Sequence, residues 1–136
     1  ILQYIDIYIT NKEEGEELLG IGDSPSEEVA RKLKEYVPGI VSVSDGHNGV
    51  TVIDATGVVY TAGVPDSPVV ERTGAGDAFG SGFVSEYMRS LNIEKAIQFA
   101  TANASSVVAQ YGGKAGILKK DDWGPWPLVK VEQVPL

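Results

Sequence analysis

Polar and apolar positions along this chain change period several times, and each change marks an element. Tyr4 to Thr10 (YIDIYIT) is β-branched and aromatic, which predicts a strand. Asn11 to Leu19 (NKEEGEELL) predicts a short helix leaving it directly. Ser24-Pro25-Ser26-Glu27 predicts a helix start, with Ser24 as cap, Pro25 at the first helical position and Glu27 closing a capping box. Val29, Leu33 and Val37 follow at helical spacing, and Pro38-Gly39 stops the run. Ile40 to Ser44 (IVSVS) predicts a second strand, and the strand–helix–strand order implies a parallel pair. Val50 to Asp54 and Val58 to Ala62 flank Ala55-Thr56-Gly57, which predicts a β-hairpin.

A loop with Pro65 and Pro68 leads to Thr73-Gly74-Ala75-Gly76-Asp77, which runs into a helix from Ala78 to Ser90. Phe79, Phe83 and Tyr87 share one stripe of it. Gly80 and Gly82 each weaken that helix by up to about 1 kcal/mol relative to Ala, so close packing or ligand approach must account for them. Asn92 starts another helix, with Ile93, Ile97, Ala100, Ala104, Val107 and Val108 facing a core and Gly112-Gly113 ending it. Leu128 to Val134 (LVKVEQV) predicts a last strand. Together these elements predict an α/β fold in three layers around a mixed sheet, within a single domain over residues 1–136.

Composition narrows the function classes. The net charge of −8 argues against a surface that tracks nucleic-acid phosphates. It does not exclude a nucleotide, because backbone amides and a metal ion can hold phosphates. With no Cys there is no thiolate metal site and no Cys nucleophile, which fits a reducing, cytoplasmic setting. No apolar run approaches the ~18 residues of a membrane span, and the start does not read as a signal peptide. The chain begins at Ile1 rather than Met, as a piece of a longer chain would.

The chemistry concentrates at Gly74-Ala75-Gly76-Asp77. Amides at a helix start are not used by the helix, and the helix dipole adds partial positive charge there. Gly74 and Gly76 carry no side chain to block a phosphate, so the segment predicts an anion hole. A carboxylate in the first turn would repel that phosphate unless it takes a proton from an attacking hydroxyl. No Gly-Lys-Ser/Thr follows, so this is not a Walker loop, and GAGDAF lacks the third glycine of a dinucleotide fingerprint. On spacing alone, the same residues also fit a Gly-rich turn whose Asp favours the helix dipole.

Four segments resemble the ribokinase (PfkB-type) family of small-molecule kinases, in the family's order. TGAGDAFGSGF (Thr73 to Phe83) resembles the signature near the C-terminus. Asn11-Lys12-Glu13-Glu14, at a strand end ahead of Leu18 to Gly20, resembles the Asn-x-x-Glu motif. Ser44 to Gly49 (SDGHNG) resembles the Thr-x-Gly-x-x-Gly segment at the ATP phosphates, and Phe99 to Gly113 the last helix and loop. The resemblance implies the C-terminal half of a three-layer ribokinase-like fold, with a mixed, mostly parallel sheet and a β-hairpin. It implies Asp77 as general base and the amides of Gly74, Ala75 and Gly76 as stabilisers of the transferred phosphoryl group. Asn11 and Glu14 would hold a magnesium–phosphate array through water. Ser44, Gly46 and Gly49 would touch the nucleotide phosphates, and Thr101 and Asn103 would lie near adenine or ribose. Glu71, Thr73, Val107, Gln110 and Gly112 would match a potassium site. Glu71 stands where the family has Asp, and Arg72 where it has Thr; both weigh against potassium dependence.

The expected reaction is transfer of a phosphoryl group from ATP, with Mg²⁺, to a hydroxyl of a sugar, with a nucleoside or other small alcohol next. A non-catalytic nucleotide-binding fragment and a structural α/β domain are the rivals from other classes. Family members are roughly twice this long, and the half that selects the substrate is absent. The strand Tyr4 to Thr10 should therefore expose an unpaired edge. The chain alone is expected to lack sugar kinase activity and either to associate with another copy or to derive from a larger enzyme. His47, the acidic run Glu13 to Glu17 and the Trp123/Trp126 pair read as an exposed turn, a solvated helix face and an anchor for the tail. Arg72 fits either a phosphate or Glu71.

Overall fold

The computed structural model describes residues 1–65, 74–109, 117–119 and 122–135. The chain forms two compact units, Ile1–Gly63 with Glu132–Leu136, and Val64–Val131. In the first unit, β1 (Ile7–Asn11) begins later than the apolar pattern implies. Leu2–Tyr4 instead close a 3-10 turn, in which the Tyr4 amide donates to the Ile1 carbonyl at 3.0 Å. Helix α1 (Lys12–Leu19) follows directly, and Gly20 ends it in the left-handed region at φ 69°.

Helix α2 spans Ser26–Lys34 with Pro25 as its cap residue, so Ser24 does not cap it. The Ser24 hydroxyl donates to the Gly22 carbonyl at 3.0 Å, and its amide donates to Glu16 Oε2 at 2.6 Å. A proline offers no capping side chain, and no side-chain cap forms at this start. The expected capping box is thus replaced by a turn tied back to α1. The Pro25 carbonyl still accepts the first ladder bond, from Val29 at 3.1 Å.

Strands β2 (Ile40–Ser44), β3 (Val50–Ile53) and β4 (Val59–Ala62) follow, with β5 (Val131–Gln133) last, and the sheet order is β1-β2-β3-β4-β5. β1 and β2 are parallel, while β2–β3 and β3–β4 are antiparallel. The sheet is therefore mixed. A helical crossover is needed to make strands parallel, and α1–α2 supply the one between β1 and β2. Among the described residues β1 pairs with β2 alone, which is the open edge the sequence implies.

Val29, Ala30, Leu33 and Val37 pack against Val41, Val43, Ile53 and Val59 to form the core of this unit. Burying each such side chain contributes about 1.5–3 kcal/mol relative to exposure. The opposite face of β2 carries Ser42, whose buried hydroxyl has no hydrogen-bond partner among the described residues.

Asp54 organises the β3–β4 hairpin. Its Oδ1 accepts from the Thr56 amide at 2.9 Å, the Thr56 hydroxyl at 2.7 Å and the Val58 amide at 3.0 Å. Burial raises its pKa, but the Thr56 hydroxyl and the amides of Val58, Thr56 and Gly57 outweigh that, so the carboxyl titrates below its ordinary value. A depressed carboxyl adds stability above its unfolded pKa and loses it as the pH falls through its folded pKa. Acid unfolding below about pH 4 should therefore be steeper for the native chain than for Asp54→Asn. Unfolding curves at several acid pH values test this; parallel curves would rule Asp54 out as a source of acid sensitivity.

The second unit is built on α3 (Ala75–Ser90) and α4 (Ile93–Val108). Phe79, Phe83 and Tyr87 stack along α3, with ring centroids 6.4 Å and 6.2 Å apart. Gly82 is the point of close approach. A Cβ there would lie 3.2 Å from Ala100 Cα and 3.4 Å from Asn103 Cβ, so packing accounts for this glycine. Asn92 caps α4, its Oδ1 accepting the Lys95 amide at 3.0 Å. The one-sided core face expected for α4 is too narrow: Phe99 to Val108 are buried on nearly all sides, and Ala104 is the half-buried exception. The expected end of this helix at Gly112-Gly113 lies outside the described residues. Trp123 packs its ring 5.1 Å from Phe99, as an anchor for the tail should, and Arg89 lies 5.3 Å above the same Phe99 ring. Among the described residues no helix is long and apolar enough to cross a membrane.

Candidate functional site

In the first unit, parallel pairing sets Asn11 beside Ser44, because the register runs Ile7 with Ile40 through Asn11 with Ser44. Both residues are the last of their strands. Ligands of open α/β sheets gather at such carboxyl ends. Asn11 Oδ1 accepts the Glu14 amide at 2.8 Å, so this side chain caps α1. The oxygen end of its amide is thereby engaged by the protein. Glu14 is exposed, and its Oε2 accepts the Thr10 hydroxyl at 3.3 Å.

Between β2 and β3, residues Gly46–Asn48 form a 3-10 turn. The Asn48 amide donates to the Asp45 carbonyl at 2.9 Å, and the Gly49 amide to the Gly46 carbonyl at 3.2 Å. The Gly46 and His47 amides precede these bonds. His47 is exposed on this turn. Gly49 has a structural reason of its own: at φ 99° a Cβ would stand 2.1 Å from the Ala62 carbonyl oxygen. Asn11, Glu14, Ser44 and Gly46 thus share one end of the β1–β2 pair.

In the second unit, Gly74 is the N-cap of α3 at φ 83°, and no side chain caps this helix. The first ladder bond runs from the Ala78 amide to the Gly74 carbonyl at 2.8 Å. The amides of Ala75, Gly76 and Asp77 precede it and find no acceptor among the described residues. Gly76 and Asp77 are exposed. A Cβ added at Gly76 would meet nothing within 4 Å among the described residues outside its own helix turn, so their packing does not demand glycine there.

Thr101 and Asn103 are buried at 8% and 2% exposure. The Thr101 hydroxyl donates to the Ile97 carbonyl at 2.7 Å. The Asn103 amide bonds Ala78 and Leu118, a role the sequence reading missed. Its signal was present: one polar residue in a face otherwise made of Ala100 and Val107, opposite Gly82. Of the five potassium-site positions only Val107 is described, fully buried in α4. Glu71, Thr73, Gln110 and Gly112, and Arg72 with them, lie outside the described residues. Among the described residues no three His, Cys, Asp or Glu side chains converge as a metal site.

The profile of the pfkB family carbohydrate kinases matches residues 1–120. This chain belongs to the pfkB family. It is 31% identical over 105 residues to the 5-dehydro-2-deoxygluconokinase of Shouchella clausii, covering 77% of this chain and 32% of that protein. The ribokinase of Arabidopsis thaliana, solved with ribose and ATP, superposes with a TM-score of 0.73 at 28% identity. That match covers 82% of this chain and 37% of the ribokinase. An E. coli neighbour solved with ATP and Mg²⁺ gives a TM-score of 0.71 at 26% identity, over 86% of this chain and 37% of its own. This pfkB-family chain spans about a third of the length of the curated relatives it matches.

Proposed function

We propose that this chain carries the nucleotide-binding and catalytic-base part of a kinase that moves the γ-phosphoryl group of ATP to a hydroxyl of a small molecule, a sugar first. The observation that carries this reading is the start of α3, where three amides without an acceptor among the described residues adjoin the exposed carboxylate of Asp77. Family membership and the ATP-bound relatives support it at the level of reaction class.

Asp77 takes the proton of the acceptor hydroxyl as its oxygen attacks the γ-phosphorus and the bond to the β,γ-bridging oxygen breaks, leaving ADP. The amides of Gly74, Ala75, Gly76 and Asp77 stabilise the charge on the phosphoryl oxygens during transfer. Ser44, the Gly46 amide and the Asn11 NH₂ hold the phosphate chain. Gly49 serves by letting the β2–β3 turn close against β4. Thr101, on α4, lies near the adenine or ribose.

Magnesium, when bound with ATP, neutralises charge on the phosphate chain. Such an ion keeps several waters and takes one or two protein carboxylates beside substrate phosphates. The exposed carboxylate of Glu14 fits that donor set.

Gly76→Ala separates the ligand role from the structural one. Replacing glycine by alanine in a compatible conformation stabilises a protein by about 0.4–1 kcal/mol, and the added methyl meets nothing within 4 Å among the described residues outside its own helix turn. The variant should therefore melt at the same temperature or higher, yet bind ATP at least several-fold more weakly in calorimetry on the complete gene product. Unchanged ATP affinity would remove the phosphate from the start of α3.

A further inference from the structure

Asn103 stands on the face of α4 that meets α3, at 2% exposure. Burying an amide among apolar neighbours is unfavourable unless both of its ends are bonded. Here both are. Nδ2 donates to the Ala78 carbonyl at 2.8 Å, and Oδ1 accepts from the Leu118 amide at 2.8 Å. A carbonyl on one side and an N–H on the other leave a single orientation for the side chain.

The carbonyl it holds belongs to the residue directly after Asp77. The Ala78 amide is tied to the Gly74 carbonyl at 2.8 Å. Residue 78 is thus held at its N–H by the helix start and at its C=O by α4. The amides ahead of it donate no ladder bonds, so Ala78 is the first residue of α3 whose amide joins the ladder, and Asn103 ties that same residue to α4. Asparagine is a short side chain, and its reach depends on the close approach that Gly82 permits one turn on, where a Cβ would lie 3.4 Å from Asn103 Nδ2. The same amide ties this turn to Leu118, beyond the end of α4.

We propose that Asn103 is a positioning residue: it fixes the first turn of α3 against α4, and with it the carboxylate of Asp77 and the neighbouring amide donors. This rests on the role given to Asp77 under Proposed function. It gives Asn103 a task other than touching the nucleotide, since both ends of its amide are engaged by the protein.

The test uses the complete gene product, with ATP and an accepted sugar. Asn103→Asp keeps the shape and the acceptor for Leu118 but, as a carboxylate, cannot donate to Ala78. Asn103→Leu keeps the bulk and loses both bonds. Ile97→Val trims a fully buried, apolar α4 side chain that offers Ala78 no hydrogen bond and serves as the control. Assays run below the melting onset of every variant. Misplacing a catalytic group by an ångström can cost on the order of 10²-fold. The expected result is a fall in kcat of about ten- to hundredfold for both Asn103 variants, with KM for ATP nearly unchanged and Ile97→Val near native. Hydrogen exchange should rise at Ala78 and the turn after it, and not at the C-terminal end of α3. A lowered melting temperature with native kcat makes Asn103 a packing residue and overturns the proposal. So does a kcat loss in Ile97→Val as large as in the Asn103 variants. If Asn103→Leu does not fold, the isosteric Asn103→Asp decides alone. Asp77→Asn is assayed in parallel: native turnover there sinks the base assignment itself, whereas an inactive Asp77→Asn beside a fully active Asn103→Asp sinks only the positioning role.

Discussion

Asp77→Asn is expected to lower kcat by about 10²–10⁴-fold in the complete gene product while ATP still binds. The substitution keeps the size of the side chain and removes its ability to accept a proton at neutral pH. Asp77 is exposed in the first turn of α3, so the change disturbs no packing. It also removes a negative charge from a helix N-terminus, which costs about 0.3–1 kcal/mol of stability. The expected loss in rate corresponds to about 3–6 kcal/mol at about 1.4 kcal/mol per tenfold. The catalytic effect should therefore dominate the structural one. Steady-state kinetics over a panel of sugars, with ATP binding by calorimetry, separates the two. Turnover near native would show that the carboxylate only favours the helix dipole.

Phe83→Ala should destabilise the second unit by about 3–5 kcal/mol. Phe83 is fully buried, and its ring is the middle one of three, 6.4 Å from Phe79 and 6.2 Å from Tyr87. Truncation removes the transfer energy of the ring, leaves a cavity and breaks both ring contacts. Domains have total stabilities of roughly 5–15 kcal/mol, so this loss takes a large share. Phe79 and Tyr87 are only half-buried, and their alanine variants should cost less. The two tryptophans of the chain, Trp123 and Trp126, both lie in this unit, so denaturation followed by tryptophan fluorescence reports on it directly. A loss under about 1 kcal/mol, the size of an ordinary surface change, would mean the site collapses around the missing ring.

The parts of the fold legible in the sequence are those whose causes lie close together along the chain. Asn11 and Asn92 each cap a helix by accepting an amide three residues on, Glu14 and Lys95 respectively, and both starts were predicted. Ile40 to Ser44 forms β2 with the predicted bounds, because its run of apolar and small residues ends in Gly on one side and Asp45-Gly46 on the other. Ser24 misled for the converse reason. It has the chemistry of a cap, but its amide is claimed by Glu16, a residue of the preceding helix. Tyr4 to Ile5 have strand composition without a strand, because β2 offers its first partner at Ile7.

The candidate site divides along the same line. The glycines and Asp77 at the start of α3, and the Asn-x-x-Glu start of α1, were readable because a helix start supplies its own unpaired amides. That Asn11 and Ser44 stand side by side, that Gly49 answers to the Ala62 carbonyl, and that Asn103 spends its amide on Ala78 and Leu118 were not. By itself the sequence determined the family, the order of elements, the starts of α1 and α4 and the residue types at the candidate site, all of which depend on neighbours within about one helical turn or on a contiguous motif. The tertiary structure alone decided which polar groups remain free for a ligand. A buried amide bonds to whichever carbonyl and N–H packing sets within about 3 Å of it, and those partners lie far away along the chain.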